Sequence, residues 1–265
     1  MVTIPFVKAH GARNDFLLTW RAELPGELGD PAALARAICD RNTGVGADGW
    51  IVLSPAPGAD VAIELWNSDG SRSEISGNGT RCAAALLIDG GAGEEISIST
   101  GAGNKRLRLL ERRGLRFQLE MNMGAARIEE LHSSIADGRD AVILNVGNPQ
   151  CAVLVADFDF DWRTLGAKLE RHPRFPNRTN VSFVRVLDRH TLDVRFFERG
   201  AGETMSSGTG STGAAAAAKA RGMLEESRVR VLTPAGPLEI RWQNDDIYLA
   251  GPAEIVTRGI FFWNP

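Results

Sequence analysis

The sequence is short of what a metal or redox site would use. It has three cysteines, Cys39, Cys82 and Cys151, which cannot all pair and do not stand at metal-ligand spacing. Its four histidines, His10, His132, His172 and His190, are equally scattered, so no metal is expected. The cysteines read as reduced, buried, small apolar residues, which points to the cytoplasm. Charge of neither sign is in large excess: 30 Lys and Arg oppose 33 Asp and Glu, a net of −3. That balance gives no electrostatic reason to expect nucleic acid or an anionic membrane as partner. No apolar run has the length to cross a bilayer. The opening MVTIPFVKAHG is strand-like and lacks the pattern of a signal peptide. What remains, 43% hydrophobic and 24% charged over 265 residues, is an ordinary globular composition with length for one large domain or two smaller ones.

One stretch occurs twice. Residues 76–86 read Ser-Gly-Asn-Gly-Thr-Arg-Cys-Ala-Ala-Ala-Leu, and residues 207–217 read Ser-Gly-Thr-Gly-Ser-Thr-Gly-Ala-Ala-Ala-Ala. Each is a serine, a Gly-x-Gly turn and a run of small helix formers, and each follows a polar segment. A single serine before a helix is an ordinary N-cap. The repetition indicates two related halves facing one another across a site.

The elements around these stretches also run in parallel. Val2 to Val7 reads as a strand, Gly11 to Phe16 as a polar turn and Leu17 to Trp20 as a second strand. Asp30 is placed to cap a helix with Pro31 at its first position, Leu34 and Ile38 as its buried stripe and an end near Asn42-Thr43-Gly44. Gly44-Val45-Gly46-Ala47-Asp48-Gly49 is glycine-rich, but a strand, Trp50–Leu53, follows where a dinucleotide fingerprint needs a helix. Ile63–Trp66 delivers Asn67 to the first repeated segment, and residues 107–121 alternate as a hairpin with a turn at Glu111–Gly114.

In the second half, Ala141–Val146 leads to Gly147-Asn148-Pro149-Gln150. Asp161 is placed to cap a helix that stops at His172-Pro173, and Val181–Val186 and Thr191–Phe197 are strands, the latter presenting Glu198-Arg199. Val229–Leu232 and Leu238–Trp242 close that half. The division falls at 1–118 with a last strand over 255–265, and 119–254, with no low-complexity linker.

A helix N-terminus offers unpaired N–H groups and the positive end of the peptide dipoles, so it favours an anion. Glycines at 77, 79, 208 and 210 would let a ligand approach the backbone closely. Two such termini would clamp a carboxylate, with the residue before each helix beside the carbon that carries it. That arrangement suits removal of a proton from one face of an α-carbon and its return to the other.

The residues that carry this pattern resemble those of the diaminopimelate epimerases. Gly11-Ala12-Arg13-Asn14-Asp15-Phe16 is similar to that family's Gly-Ala-Gly-Asn-Asp-Phe, with Arg13 the mismatch. Asn67-Ser68-Asp69-Gly70-Ser71, Gly77-Asn78-Gly79-Thr80-Arg81-Cys82, Gly147-Asn148-Pro149, Asn180, Glu198-Arg199-Gly200 and Gly208-Thr209-Gly210 match in order, almost end to end. The resemblance implies an α/β (α+β) fold of two pseudo-symmetric halves. Each half would be a curved, mostly antiparallel sheet around a central helix, with the active site in the cleft between them. It also implies a cofactor-independent isomerase that interconverts L,L- and meso-diaminopimelate in lysine and cell-wall biosynthesis, and members that are often homodimers. Under it, Gly77, Asn78, Gly208 and Thr209 hold the reacting carboxylate. Asn14, Asn67, Asn148, Asn180, Glu198 and Arg199 hold the rest of the amino-acid substrate.

The departures fall on the catalytic groups. The family's acid–base pair is two cysteines, and here those positions are Ser76 and Ser207. A thiol at a helix N-terminus reaches the thiolate near neutral pH, whereas a hydroxyl needs a neighbouring base. Gln150 stands where the family usually has histidine. Glu74, Asp69 and Glu203 are candidate bases or modulators, each with an alternative as a solvated or capping carboxylate. Three readings follow: an epimerase slowed by its serines, a divergent racemase, isomerase or dehydratase using another base, and a non-catalytic amino-acid binding protein.

Overall fold

The structure, a computed structural model, describes residues 1–26, 29–225 and 228–264. Two compact units divide the chain: Met1–Met121 with Gly251–Pro265, and Asn122–Ala250. Pro265, the last residue of the strand expected over 255–265, lies outside the described residues.

The first unit contains β1 (Val2–Gly11), β2 (Asn14–Trp20), α1 (Pro31–Cys39), β3 (Gly49–Ala56), β4 (Ala59–Asn67), β5 (Arg72–Ser73), α2 (Gly77–Asp89), β6 (Glu95–Thr100), β7 (Gly103–Arg113) and most of β8 (Arg116–Gly124). The second contains β9 (Arg127–Ala136), β10 (Arg139–Asn145), β11 (Pro149–Leu154), α3 (Trp162–Glu170), β12 (Asn180–Asp188), β13 (Thr191–Glu198), β14 (Gly202–Thr204), α4 (Gly208–Ala220), β15 (Arg228–Thr233), β16 (Gly236–Gln243) and the start of β17 (Asp246–Trp263). The rest of β17 belongs to the first unit, where it pairs antiparallel with β1 from Val2↔Trp263 to His10↔Glu254.

The same pairing sequence is used twice. In the first unit β1–β2 is antiparallel, β2–β3 parallel across α1, β3–β4 antiparallel, β4–β6 parallel across α2, and β6–β7 antiparallel. In the second, β10–β11 is antiparallel, β11–β12 parallel across α3, β12–β13 antiparallel, β13–β15 parallel across α4, and β15–β16 antiparallel. Each parallel step needs a helical crossover, because a short turn cannot return a strand to the same direction.

Two kinds of helix result. Helices α1 and α3 carry a one-sided apolar stripe: Leu34 and Ile38 pack with Ile4, Leu17 and Trp50, while Leu165 and Leu169 pack with Val153 and Phe183. Asp30 caps α1 by accepting from Ala32 N at 2.9 Å, and Asp161 caps α3 by accepting from Thr164 N at 3.0 Å. Helices α2 and α4 are instead buried on every side, α2 against β1, β2, β3, β4 and β6, and α4 against strands of its own unit. Alanine makes this possible. Ala83–Ala85 and Ala214–Ala218 are strong helix formers whose short side chains let strands approach from several directions.

Several sequence expectations change. Helix α1 ends at Cys39, earlier than Asn42-Thr43-Gly44, because Asp40 turns the chain by accepting from Asn42 N, Thr43 N and the Thr43 hydroxyl. Strands β6 and β9 were not foreseen, and β17 is far longer than 255–265. The polar turn expected over Gly11–Phe16 is a two-residue hairpin turn. Gly11 and Asn14 pair directly, and only Ala12 and Arg13 lie outside the strands.

Both turn residues have positive φ, 49° for Ala12 and 63° for Arg13, as a type I′ hairpin requires. An L-residue pays a steric penalty there that glycine escapes. Arg13→Gly is therefore expected to stabilise the protein by about 0.5–1 kcal/mol. Urea unfolding measures it, and an unchanged or lower midpoint would contradict the assignment of strain to this turn.

Candidate functional site

The two repeated segments are built alike. Ser76 is the N-cap of α2, with φ −126° and ψ 122°, and its Oγ accepts from Gly79 N at 3.1 Å. Ser207 is the N-cap of α4, with φ −132° and ψ 124°, and its Oγ accepts from Gly210 N at 3.0 Å. Each serine carbonyl takes the first helical bond, from Thr80 N at 2.8 Å and from Ser211 N at 2.9 Å. Whatever atom occupies the γ position thus faces a helix N–H at the positive end of the dipoles, a setting that favours an anion.

The glycines of these segments divide in role. A Cβ on Gly79 would stand 2.9 Å from Ile51 Cδ1, and one on Gly210 would stand 2.8 Å from Phe196 Cδ1. At both, the packing of the helix on its sheet excludes a side chain. Gly77 and Gly208, by contrast, are the buried first residues of their helices.

In the first unit the substrate-binding candidates Asn14 and Asn78 touch: Asn78 Nδ2 donates to Asn14 Oδ1 at 3.2 Å. Asn14 Nδ2 donates in turn to Asp48 Oδ2 at 2.6 Å. On the other side, Asn78 Oδ1 accepts from Arg81 Nη2, while Arg81 Nη1 donates to Gly77 O at 3.2 Å and Nε to Pro252 O at 3.2 Å. Arg81 is fully buried and burial pushes its pKa down to about 10, so it remains a cation at neutral pH beneath the helix start. A guanidinium and the helix dipole add to the same positive field, which suits a carboxylate.

Asp48 belongs to a cluster with Asp15, Arg41 and Lys8. Arg41 spans both carboxylates, at 2.8 Å to Asp15 and 2.7 Å to Asp48, and Lys8 Nζ lies 3.1 Å from Asp15. Burial pushes Asp15 upward, but hydrogen bonds from Arg41 and Lys8 outweigh it and hold the carboxyl below its usual range. For Asp48 burial prevails over the hydrogen bond from Asn14, and its pKa is raised. Asn67 ends β4 at a separate tight loop, its Nδ2 donating to Ser71 Oγ at 2.9 Å, while Asp69 Oδ1 accepts from Ser71 N at 2.8 Å and Ser71 Oγ at 2.6 Å. Asp69 therefore has a local structural role in that loop. Glu74 is exposed.

In the second unit Asn148 Nδ2 donates to Thr209 Oγ1 at 3.3 Å, and Gln150 Nε2 donates to Asn148 Oδ1 at 2.6 Å. Asn180 joins two loops, donating to Pro149 O at 3.1 Å and accepting from Arg199 N at 3.1 Å. Glu198 accepts the Ser207 hydroxyl at 2.6 Å on Oε2 and the Thr204 hydroxyl at 2.7 Å on Oε1. Glu203, another candidate base, is held on the surface by Arg163 at 2.6 and 2.8 Å. Sequence reasoning passed over Asp48, Arg81 and the Glu198–Ser207 bond. The local signal for Asp48 was its place at the end of a glycine-rich turn.

Comparison with known proteins agrees along the chain. The family profile described as Diaminopimelate epimerase matches residues 6–129 and 142–256. The diaminopimelate epimerase of Moorella thermoacetica is 38% identical, covering 97% of this chain and 98% of that protein. That of Archaeoglobus fulgidus is 39% identical, covering 98% and 97%. Among solved structures, a hydroxyproline epimerase from Agrobacterium vitis shares the fold with a TM-score of 0.76 at 16% identity, covering 98% of this chain and 91% of that one. A phenazine biosynthesis protein of the PhzF family from Bacillus anthracis does so with a TM-score of 0.74 at 15% identity, covering 98% and 99%.

The three cysteines do not replace the absent thiols. Cys39, Cys82 and Cys151 are free and buried, and burial pushes each pKa up to about 12. Thiolate is the reactive form. In the folded protein at pH 8, iodoacetamide is expected to leave all three unmodified over hours, and to modify all three in denaturant. Mass spectrometry reads the outcome, and rapid native labelling of any one would show an accessible thiol.

Proposed function

The chain belongs to the diaminopimelate epimerase family, and we propose that it binds diaminopimelate at the two serine-capped helix starts and acts on its α-carbon. It is an isomerase of that family and belongs to lysine biosynthesis. The observation that carries the substrate reading is the repeated cap, with near-identical backbone angles and N–H donation at Ser76 and Ser207. The helix starts would hold the reacting carboxylate, with Asn78 and Thr209 as the second residue of each. Asn14, Asn67, Asn148, Asn180, Glu198 and Arg199 would hold the remainder. Arg199 offers a guanidinium for a carboxylate, and Glu198 an anion for an ammonium group. A homodimer is the assembly to test, by light scattering.

The reaction takes the α-hydrogen as a proton from one face and returns a proton to the other. In other members of the family a pair of cysteines does both. Here each γ atom is a hydroxyl oxygen that already accepts a helix N–H, and a hydroxyl ionises far above neutral pH. Turnover is therefore expected to be slow, with the binding shell intact.

The Glu198–Ser207 bond favours a second reading, in which a carboxylate is the base for a different α-carbon reaction. Glu198 is the carboxylate that, among the described residues, accepts a hydrogen bond from one of the two serines. It displaces Asp69 and Glu203 as the preferred candidate.

Proton-to-deuterium exchange at the α-carbon of L,L- and meso-diaminopimelate in heavy water separates the readings. The first expects both isomers to bind, slow exchange, and a gain of at least about 100-fold in epimerisation when Ser76→Cys and Ser207→Cys are combined. Rapid exchange that survives Ser76→Ala and is lost in Glu198→Gln would favour the second. Binding of neither isomer would overturn the substrate assignment.

A further inference from the structure

The glycine-rich turn before β3 ends in Asp48, and the fold gives that residue a task. Strands β2 and β3 are parallel with Phe16 opposite Gly49, so the residues just before that pair, Asp15 and Asp48, are neighbours. The contact is reciprocal: Asp15 N donates to Asp48 Oδ2 at 3.1 Å, and Asp48 N donates to Asp15 O at 3.0 Å and Oδ1 at 3.1 Å. Asp48 Oδ2 is thereby set beneath the Asn14 carboxamide, 2.6 Å from its nitrogen.

An asparagine amide can present either end, and its neighbours decide which. Here a chain of bonds runs one way, from the Arg81 guanidinium to Asn78 Oδ1, from Asn78 Nδ2 to Asn14 Oδ1, and from Asn14 Nδ2 to the Asp48 carboxylate. A guanidinium only donates and an ionised carboxylate only accepts, so the ends fix the direction of both amides between them. A reversed Asn14 would set its oxygen against the Asp48 oxygen. Asn14 is nearly buried, at 9% exposure, so water does not readily supply an alternative partner.

We propose that Asp48 is a positioning residue that holds the Asn14 nitrogen inward, leaving Asn14 its second N–H as a donor for a carboxylate oxygen of the ligand. This rests on the reading of the site given above as a diaminopimelate site, and it assigns the chemistry Asn14 brings to it. With Asp48 ionised, Asn14 recognises an acceptor. Arg81 secures the opposite end of the chain, and Arg41 compensates the two carboxylates.

Two measurements test this. In the unliganded protein, hydrogen exchange of side-chain amides by nitrogen-15 NMR is expected to show one Asn14 carboxamide proton exchanging at least about tenfold more slowly than those of exposed Asn42, with Asp48→Asn erasing the difference. Fast exchange of both Asn14 protons in the unmutated protein would overturn the proposal, whatever the variants do. In calorimetric titration with diaminopimelate, Asp48→Asn is expected to weaken binding about tenfold or more, as loss of a hydrogen bond to a charged group does. Arg41→Gln removes the ion pair and leaves the Asn14–Asp48 bond, and is expected to change affinity less than about threefold. An equal loss in Arg41→Gln would assign the effect to general loosening and overturn the proposal. Failure of the unmutated protein to bind diaminopimelate would strike the substrate reading alone, and the exchange measurement would still decide the role of Asp48.

Discussion

A helix buried from its first residue cannot leave its leading N–H groups to solvent, and much of this structure follows from meeting that constraint twice. Gly77 to Leu86 and Gly208 to Ala218 are buried throughout. The serine before each helix supplies a side-chain oxygen for the third N–H and a carbonyl for the fourth. Such caps are worth about 1 kcal/mol each. The alanine runs follow from enclosure, since larger side chains would hold the strands away. Gly79 and Gly210 follow from it too, because the first turn of each helix rests against an aromatic or branched side chain of a strand. The same geometry that stabilises the helix start directs N–H groups and a γ atom toward one point, so cap and candidate site are one object.

The units repeat this plan with different wiring. In the first, Asn14 presents its oxygen to Asn78 and its nitrogen to Asp48. In the second, Asn148 presents its nitrogen to Thr209 and its oxygen to Gln150. The amides occupy corresponding hairpins yet point opposite ends at the helix, because one is held by an acceptor and the other by a donor. The two units thus share a backbone design at the helix start while differing in which end of the amide meets it.

The fold class was legible because its signals are local. Asp30 before Pro31, Ser76 and Ser207 before Gly-x-Gly, and the alternation of Leu107, Phe117 and Leu119 each announce an element within a few residues. Strand β9 was not legible, since most of its residues face solvent and little apolar alternation marks it. The end of α1 was misplaced because the Asp40 side chain closes it ahead of the glycine. Asp48 and Arg81 were hidden for a different reason. Asp48 matters through the register of two parallel strands. Arg81 has the character of a surface charge until a strand residue far along the chain, Pro252, is packed over it. The Ser207–Glu198 bond likewise needs the β13–β14 hairpin, which pairs Glu198 with Gly202 and brings the chain back toward Ser207.

The long strand β17 starts in the second unit and ends in the first, where it lies against β1. The first unit is therefore discontinuous, and the second, Asn122–Ala250, is a single uninterrupted segment. On the ribosome this inverts the usual order of maturation, in which the N-terminal part folds first. The segment made second has all its strands as soon as residue 250 emerges, whereas Val2–Lys8 must wait for Thr257–Trp263, which are made later still. During that interval the N-terminal strand is an open edge, the kind of surface that chaperones cover and that other unfinished chains can join.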